Sequence, residues 1–372
     1  MKFRLKKIRL IFFLPVFIFG GASESIFKLS KFLKRHNYSI LVISLGKNYF
    51  KKEFKKISCD VLEINSSRAI FSIFKIRKKI IEEINKNFDK TIFISNIHYA
   101  NIISIFSLIG LKNVKVILTE RSSISELINN NNLIKGFKNI IIYILAKFLY
   151  RFADLIITNS NYEKEYIQKK FYVKNIIYIH PPSIDKINKQ INKNNLPTKK
   201  INIIFVGRLS KEKGVIFILK ALKEMSATIQ YKLNIYGNGP DKEIIKDFIS
   251  SNNLKSKVFL KGQVRNKVKI FKNANLFINA SLFEGLPNAL VQAINYNVFP
   301  ICSNSPGGNI EVIANGKFGM SFKLNDKDDL KRKIITFFDK KLRFNDKARI
   351  NHLKKFTEEQ SNKKYLEVIN KL

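Results

Sequence analysis

Twice in this chain an apolar run of strand length ends in glycine and passes straight into a helix. That doubled pattern admits few folds. The first run is Leu10-Ile-Phe-Phe-Leu-Pro-Val-Phe-Ile-Phe19, followed by Gly20-Gly21 and by Ile26, Leu29, Phe32 and Leu33 at helical spacing. The second is Ile201-Asn-Ile-Ile-Phe-Val206, followed by a loop from Gly207 to Gly214 and a helix over 215–225. An uninterrupted apolar strand that feeds a helix is buried on both faces, as in a parallel sheet. After the first run, residues 39–44, 91–95, 113–119, 153–160 and 176–179 read as strands, with helices over 66–87 and 134–151. After the second, strands at 231–236, 257–260, 275–280 and 298–302 alternate with helices, among them 241–250. Residues 185–200, rich in Asn and Lys, read as a linker. Two consecutive series of this kind predict two doubly wound α/β domains, with ligands outside the carboxyl ends of their strands.

Length and composition agree. The 372 residues suit two domains, and a hydrophobic fraction of 45% fills two cores. Cys59 and Cys302 are too few for a disulfide framework and point to a reducing, cytoplasmic setting. Lys2, Arg4, Lys6, Lys7 and Arg9 before the first apolar run imitate a secretory signal, but the run continues tightly into a helix and a second strand, which favours the strand reading. No run reaches the ~18 apolar residues that a spanning helix needs. The net charge of +40 accompanies a general richness in Lys, Ile, Asn and Phe, the bias that AT-rich coding produces. A surface this basic still suits phosphorylated ligands and an anionic membrane leaflet. A nucleic-acid-binding protein would need a basic groove studded with aromatics and a recognition module. The glycines fall at strand ends instead and no module is visible, so nucleic acid is not an expected partner.

The stretch Ser281-Leu-Phe-Glu-Gly-Leu-Pro-Asn-Ala-Leu-Val-Gln292 carries the most chemistry. Glu284-Gly285 turns the chain, Pro287 suits the first helical position, and Leu290, Val291 and Ile294 continue as an apolar helix face. Free backbone N–H groups beside Glu284 make an anion site. Gly207-Arg208 with Lys213-Gly214 is a phosphate-binding candidate, because glycine admits the backbone, Arg208 offers a planar fork and Lys213 a point charge. A solvated loop is the plain alternative. Gly237-Asn-Gly-Pro240 and Lys261-Gly-Gln-Val264 end strands in the same way, and the second is placed to meet a base through its backbone. Asp326-Lys-Asp328 reads as a helix cap rather than a metal-holding pair, and no cluster has metal-ligand spacing. His98 lies in the loop after the strand at 91–95, where an acid–base or sugar-orienting role competes with simple packing. Arg121 either binds phosphate or acceptor, or pairs with Glu120. Arg68, Lys75 and Lys79 share a helix face that either holds the diphosphate of a lipid carrier or is merely wet.

In this order and spacing, these motifs resemble the retaining GT-B glycosyltransferases of family 4, over nearly the whole chain. Further matches are Gly20-Gly-Ala22, Thr119-Glu-Arg121, Ala153-Asp154 with Asn159-Ser160, and Ser305-Pro-Gly-Gly-Asn-Ile-Glu311. The resemblance implies two Rossmann-like domains facing a central cleft. Residues 1–185 would be the acceptor-binding domain, with a C-terminal helix over 356–372 packing back on it, and 199–355 the donor-binding domain. Arg208 and Lys213 would neutralise the donor diphosphate without a metal. Glu284 would contact the donor sugar, and Gly285 and Leu286 would lend N–H groups. Gly20 and Gly21 would sit near the phosphates, and Gly207, Gly237 and Val264 around the nucleotide. The family's second acid is here Gln292, which lacks the charge that strengthens bonds to ribose. The implied reaction is transfer of a hexose or N-acetylhexosamine from a UDP-linked or other nucleotide sugar to a lipid-linked or polysaccharide acceptor, by a protein lying on the inner membrane face. A catalytically weak homologue serving as a scaffold, or a basic nucleic-acid-binding protein, is the alternative.

Overall fold

Residues 8–13 form a buried parallel strand at the centre of a sheet, with Ile11 opposite Leu41 on one side and Phe93 on the other. The computed structural model describes residues 7–18, 20–66, 69–128, 133–189, 197, 200–225 and 229–372. The chain divides into two units, Met1–Pro182 with Glu358–Leu372, and Ser183–Thr357.

The first unit runs β1 (Ile8–Phe13), α1 (Gly21–Arg35), β2 (Ser39–Ser44), α2 (Lys51–Lys56), β3 (Asp60–Glu63), α3 (Ala69–Ile84), β4 (Lys90–Asn96), α4 (His98–Leu108), β5 (Val114–Glu120), α5 (Leu133–Leu149), β6 (Leu155–Thr158), α6 (Asn161–Phe171) and β7 (Ile176–Tyr178). The second runs β8 (Lys200–Val206), α7 (Val215–Glu224), β9 (Gln230–Tyr236), α8 (Lys242–Ser251), β10 (Val258–Gly262), α9 (Lys267–Phe271), β11 (Leu276–Asn279), α10 (Asn288–Asn295), β12 (Phe299–Ser303), α11 (Asn309–Val312), β13 (Met320–Phe322), α12 (Lys327–Lys340) and α13 (Asp346–Leu353). The last helix, α14 (Glu358–Lys371), returns to the first unit, where Tyr365 and Ile369 are buried with Leu29 and Leu33 of α1.

Every strand pairing is parallel, and the orders are β3-β2-β1-β4-β5-β6-β7 and β10-β9-β8-β11-β12-β13. Each sheet therefore reverses direction once, between β1 and β4 in the first and between β8 and β11 in the second. At such a reversal the two connecting loops leave in opposite directions and open a crevice at the strand carboxyl ends. Gly20 and His98 follow β1 and β4, while Gly207 and Ser281 follow β8 and β11. Two apolar layers cover the faces of the first sheet, one with α3, α4, α5 and α6, the other with α1, α2 and α14.

Several expectations are corrected. The first strand ends at Phe13, not at Phe19, because Pro15 breaks the ladder and Phe17 makes only an isolated bridge to Asn48. Phe19 itself, like Arg68 of the proposed basic face, lies outside the described residues. His98 is not in a loop: it is the first residue of α4, entered through Ile97 at φ 71°. Pro287 stands at the N-cap, one residue before the first helical position. The start of the supposed linker is not loose, since the Asn188 N–H and the Lys186 carbonyl both bond Asn295 of α10.

Candidate active site

In the second unit, two sequence-distant loops close on one carboxylate. Glu284 Oε1 accepts a hydrogen bond from Lys213 Nζ at 2.7 Å, from Ser281 Oγ at 2.7 Å and a long one from Asn279 Nδ2 at 3.5 Å. Oε2 takes none of these bonds. Asn279 ends β11, Ser281 follows it, and Lys213 comes from the loop after β8. The reversal of strand order thus brings together residues 71 positions apart.

The loops are held by backbone contacts that leave no room for side chains. Gly237 has φ 147°, and a Cβ there would lie 1.8 Å from the Gly207 carbonyl oxygen. Gly307 has φ 117°, and its Cβ would lie 1.6 Å from the Glu284 carbonyl oxygen. The Glu284 N–H donates to Pro306 O at 3.0 Å, and the Gly308 N–H to Gly285 O at 3.1 Å. The Pro306-Gly-Gly308 loop is thereby a backbone clamp on the Glu284-Gly285 turn. Gly285 and Leu286 are buried, yet their N–H groups take no part in this clamp, and among the described residues no side chain caps α10. Donors at a helix start beside a Lys–Glu pair form a seat for an anion. Arg208 is exposed at the rim of the same loop. Val264 is half-buried with its side chain against the core that includes Leu286 and Leu290.

Gln292 lies about one turn into α10 and is half-buried, with Nε2 donating to the Ser183 carbonyl at 3.0 Å. Asn288 Oδ1 accepts from Ser183 Oγ at 2.6 Å, and Asn295 bonds both the Asn188 N–H and the Lys186 carbonyl. Positions 288, 292 and 295 are one helical stripe. They tie residues 183–188 to α10. An ionised glutamate at 292 would have no hydrogen to give Ser183, so this contact calls for an amide.

In the first unit, Gly20 precedes α1 in an extended conformation, open to solvent on the side where a Cβ would stand, and Gly21 begins the helix exposed. His98 sits between two carboxylates. Nδ1 donates to Glu120 Oε2 at 3.4 Å and Nε2 to Glu126 Oε1 at 3.1 Å. Burial of the ring opposes its charge, but the bonds to Glu120 and Glu126 outweigh burial and raise the pKa to about 10. The ring is an imidazolium at neutral pH, with no lone pair to accept a proton. Glu120 also accepts from Asn101 Nδ2 at 2.9 Å and from the buried Tyr150 hydroxyl. Arg121 turns away from Glu120: its Nε and Nη2 bond Asn96 Oδ1, and Nη1 bonds Ser25 Oγ at 3.0 Å. Glu163, unmarked by any sequence motif, is buried behind this network. Burial raises its pKa to about 7 against the bonds from the Ile124 N–H and Ser123 Oγ. Asp326 caps α12 by accepting from the Asp329 N–H at 2.8 Å.

Comparison with known proteins places this geometry. Residues 19–186 match the family model described as Glycosyltransferase Family 4, and residues 186–358 the one described as Glycosyl transferases group 1. An uncharacterized glycosyltransferase of Methanocaldococcus jannaschii is 29% identical over 290 residues, 74% of this chain and 71% of that protein. A Campylobacter jejuni enzyme is 25% identical over 325 residues, 85% of this chain and 84% of that one. It is named as the alpha-1,4-N-acetyl-D-galactosaminyltransferase of GalNAc-alpha-(1->4)-GalNAc-alpha-(1->3)-diNAcBac-PP-undecaprenol. Among solved structures, HepE of Anabaena in complex with UDP superposes with a TM-score of 0.77, at 16% identity, over 98% of this chain and 100% of that one. Two adjoining family models, two parallel doubly wound sheets and the converging loops lead to one assignment: the chain belongs to the GT-B glycosyltransferases of family 4.

Proposed function

We propose that this protein transfers a hexose or N-acetylhexosamine from a UDP-linked sugar, with retention at the anomeric carbon, to a membrane-associated glycan acceptor in surface polysaccharide, lipopolysaccharide or lipid-linked oligosaccharide assembly. The observation that carries the donor half is the Lys213–Glu284 pair beside the uncapped start of α10. On this reading the donor diphosphate takes Lys213 and Arg208 as its counter-ions. The freed Glu284 carboxylate accepts from a sugar hydroxyl, and Gly285 and Leu286 donate their N–H groups. The bond from C1 to the phosphate oxygen breaks, the acceptor oxygen bonds C1 on the same face, and the acceptor's proton passes to the leaving diphosphate. Two cationic side chains and a helix start stabilise that leaving group, so no metal is assigned a part. Gln292 keeps its carbonyl oxygen for a ribose hydroxyl while its amide holds Ser183.

Gly20 and Gly21 would offer backbone donors to phosphate or acceptor. His98, already protonated, would orient the sugar by its charge rather than act as a base. The names of relatives support the wider setting: the Campylobacter enzyme extends an undecaprenol-linked glycan, and the Anabaena protein was solved with UDP. We place the protein in the cytoplasm, on the inner membrane face.

The test is thermal stabilisation of the purified chain by UDP-, GDP- and ADP-sugars, without metal and with EDTA. An EDTA-resistant shift with a UDP-sugar, lost in Lys213→Ala and Glu284→Ala, is expected. If no nucleotide sugar shifts the wild type, the donor reading fails and the scaffold alternative takes its place.

A further inference from the structure

The outer face of α5 runs against the logic of its fold. A helix layered on a sheet turns its polar side to water. α5 is 17 residues long, about 25 Å by its rise per residue. Its inner side packs through Ala146 onto the core shared with α3 and α4. Its outer side shows Phe137 at 69% exposure, Ile140 at 45%, Ile141 at 43%, Ile144 at 46% and Phe148 at 56%. At 100° per residue these five fall within an arc of about 100°. Lys138 flanks the arc on one side and Lys147 on the other, and α5 contains no acidic residue. Arg151 follows just after it, over the Phe148 ring at 5.9 Å to the centroid.

The surface continues sideways. α3 lies beside α4, tied by Arg77 Nη1 to the Ser107 and Ile109 carbonyls at 3.1 and 3.0 Å. Its outward positions alternate Phe71 and Phe74 with Lys75 and Lys78, all exposed or nearly so in the described structure, and Phe106 is exposed on α4 between. Three neighbouring helices thus present aromatic and branched side chains with lysines interleaved. Water alone does not favour such a face, and it exceeds the scattered apolar residues of an ordinary surface.

We infer that the outer face of α5, extended by α3, is a docking surface for an anionic lipid bilayer. The occupant follows from the chemistry. An apolar stripe bordered by lysines is what a helix lying in the plane of a bilayer requires, with the stripe among acyl chains and the ammonium groups at the lipid phosphates. The chain's net charge of +40 selects the anionic leaflet and disfavours a second copy of itself on the same face. No described helix is long and apolar enough to cross a membrane, so this contact would be a surface one. The inference deepens the membrane-associated acceptor proposed above and rests on that reading for its purpose.

The test is cosedimentation of the full chain with vesicles of phosphatidylcholine, with and without phosphatidylglycerol. The wild type is expected to sediment with the phosphatidylglycerol vesicles. Ile141→Asn with Ile144→Asn is expected to weaken that partition at least about tenfold, since two large apolar groups leave the acyl layer. Its melting temperature should be unchanged. Lys138→Glu with Lys147→Glu is expected to remove the preference for phosphatidylglycerol. The inference is overturned if the isoleucine variant sediments like the wild type, or if the wild type stays in the supernatant. It is also overturned if light scattering shows a wild-type dimer that the isoleucine variant dissolves while its vesicle binding persists. The nucleotide-sugar shift, read on the same samples, separates the two proposals: a shift without vesicle binding removes the docking face alone, and vesicle binding without a shift removes the donor site alone.

Discussion

Placing an acid at position 292 should weaken this protein. In Gln292→Glu the amide nitrogen that stands 3.0 Å from the Ser183 carbonyl oxygen becomes a carboxylate oxygen. One hydrogen bond, worth about 1 kcal/mol, is lost, and two half-buried oxygens face each other, which brings the total to about 2 kcal/mol. For a unit of this size that corresponds to roughly 4–8 °C in melting temperature. The sign with pH is fixed by the same contact. Only a protonated carboxyl can donate to Ser183, so folding raises the pKa of the new glutamate above its unfolded value of about 4.3. The contact is then fully present below that value and lost as pH rises through the folded pKa. Scanning calorimetry of wild type, Gln292→Glu and Gln292→Ala at pH 8 and near pH 4.5 reads this out. The glutamate variant should show a deficit at pH 8 that shrinks in acid, and the alanine variant a deficit that does not. Equal melting temperatures at pH 8, or a glutamate deficit indifferent to pH, would refute the argument that Ser183 dictates an amide here.

Other perturbations have equally definite outcomes. Gly307→Ala puts a Cβ on the Glu284 carbonyl at a φ of 117°, and should cost more than about 3 kcal/mol, seen as a loss of cooperative unfolding or of soluble yield; a wild-type denaturation curve would be the contrary result. His98 has its pKa raised to about 10, so its stabilisation is full below the unfolded value of about 6.5 and is lost as pH rises through 10; urea midpoints of the wild type should fall over that window more steeply than those of His98→Gln. Glu163 has its pKa raised to about 7, so its stabilisation is full below the unfolded value of about 4.3 and is lost as pH rises through 7. Glu163→Gln should therefore unfold at higher urea than the wild type at pH 8.5 and equally below about pH 4, and nuclear magnetic resonance titration of the wild-type carboxyl checks the assignment.

Much of the fold was legible because buried parallel strands announce themselves as unbroken apolar runs, as at 201–206, and because glycine marks where each one stops. α4 was not. His98–Leu108 is buried on nearly all sides, so His-Tyr-Ala-Asn-Ile-Ile-Ser-Ile-Phe-Ser-Leu has no polar face and no period of 3.6 to detect. α2 and β3 are short, six and four residues, and a Lys-rich background hides them. At the loops after the strands, the residue types were readable but their partners were not. Nothing local tells that Lys213 pairs with Glu284, or that Glu120 turns to His98 and Tyr150 and leaves Arg121 to Asn96 and Ser25. Those choices follow from strand order, which a single sequence does not display. The Asn288–Gln292–Asn295 stripe was missed for the same reason, since its partners lie in what reads as a linker.

On the function proposed above, the pairing of Lys213 with Glu284 also divides the labour of attracting a ligand. At a distance the two charges cancel, so a diphosphate approaching through solvent feels Arg208 and hardly feels Lys213 at all. Salt added to the medium should therefore slow capture through Arg208. Lys213 enters only at close range, when the anion displaces a carboxylate from it, and its contribution is to how long the ligand stays.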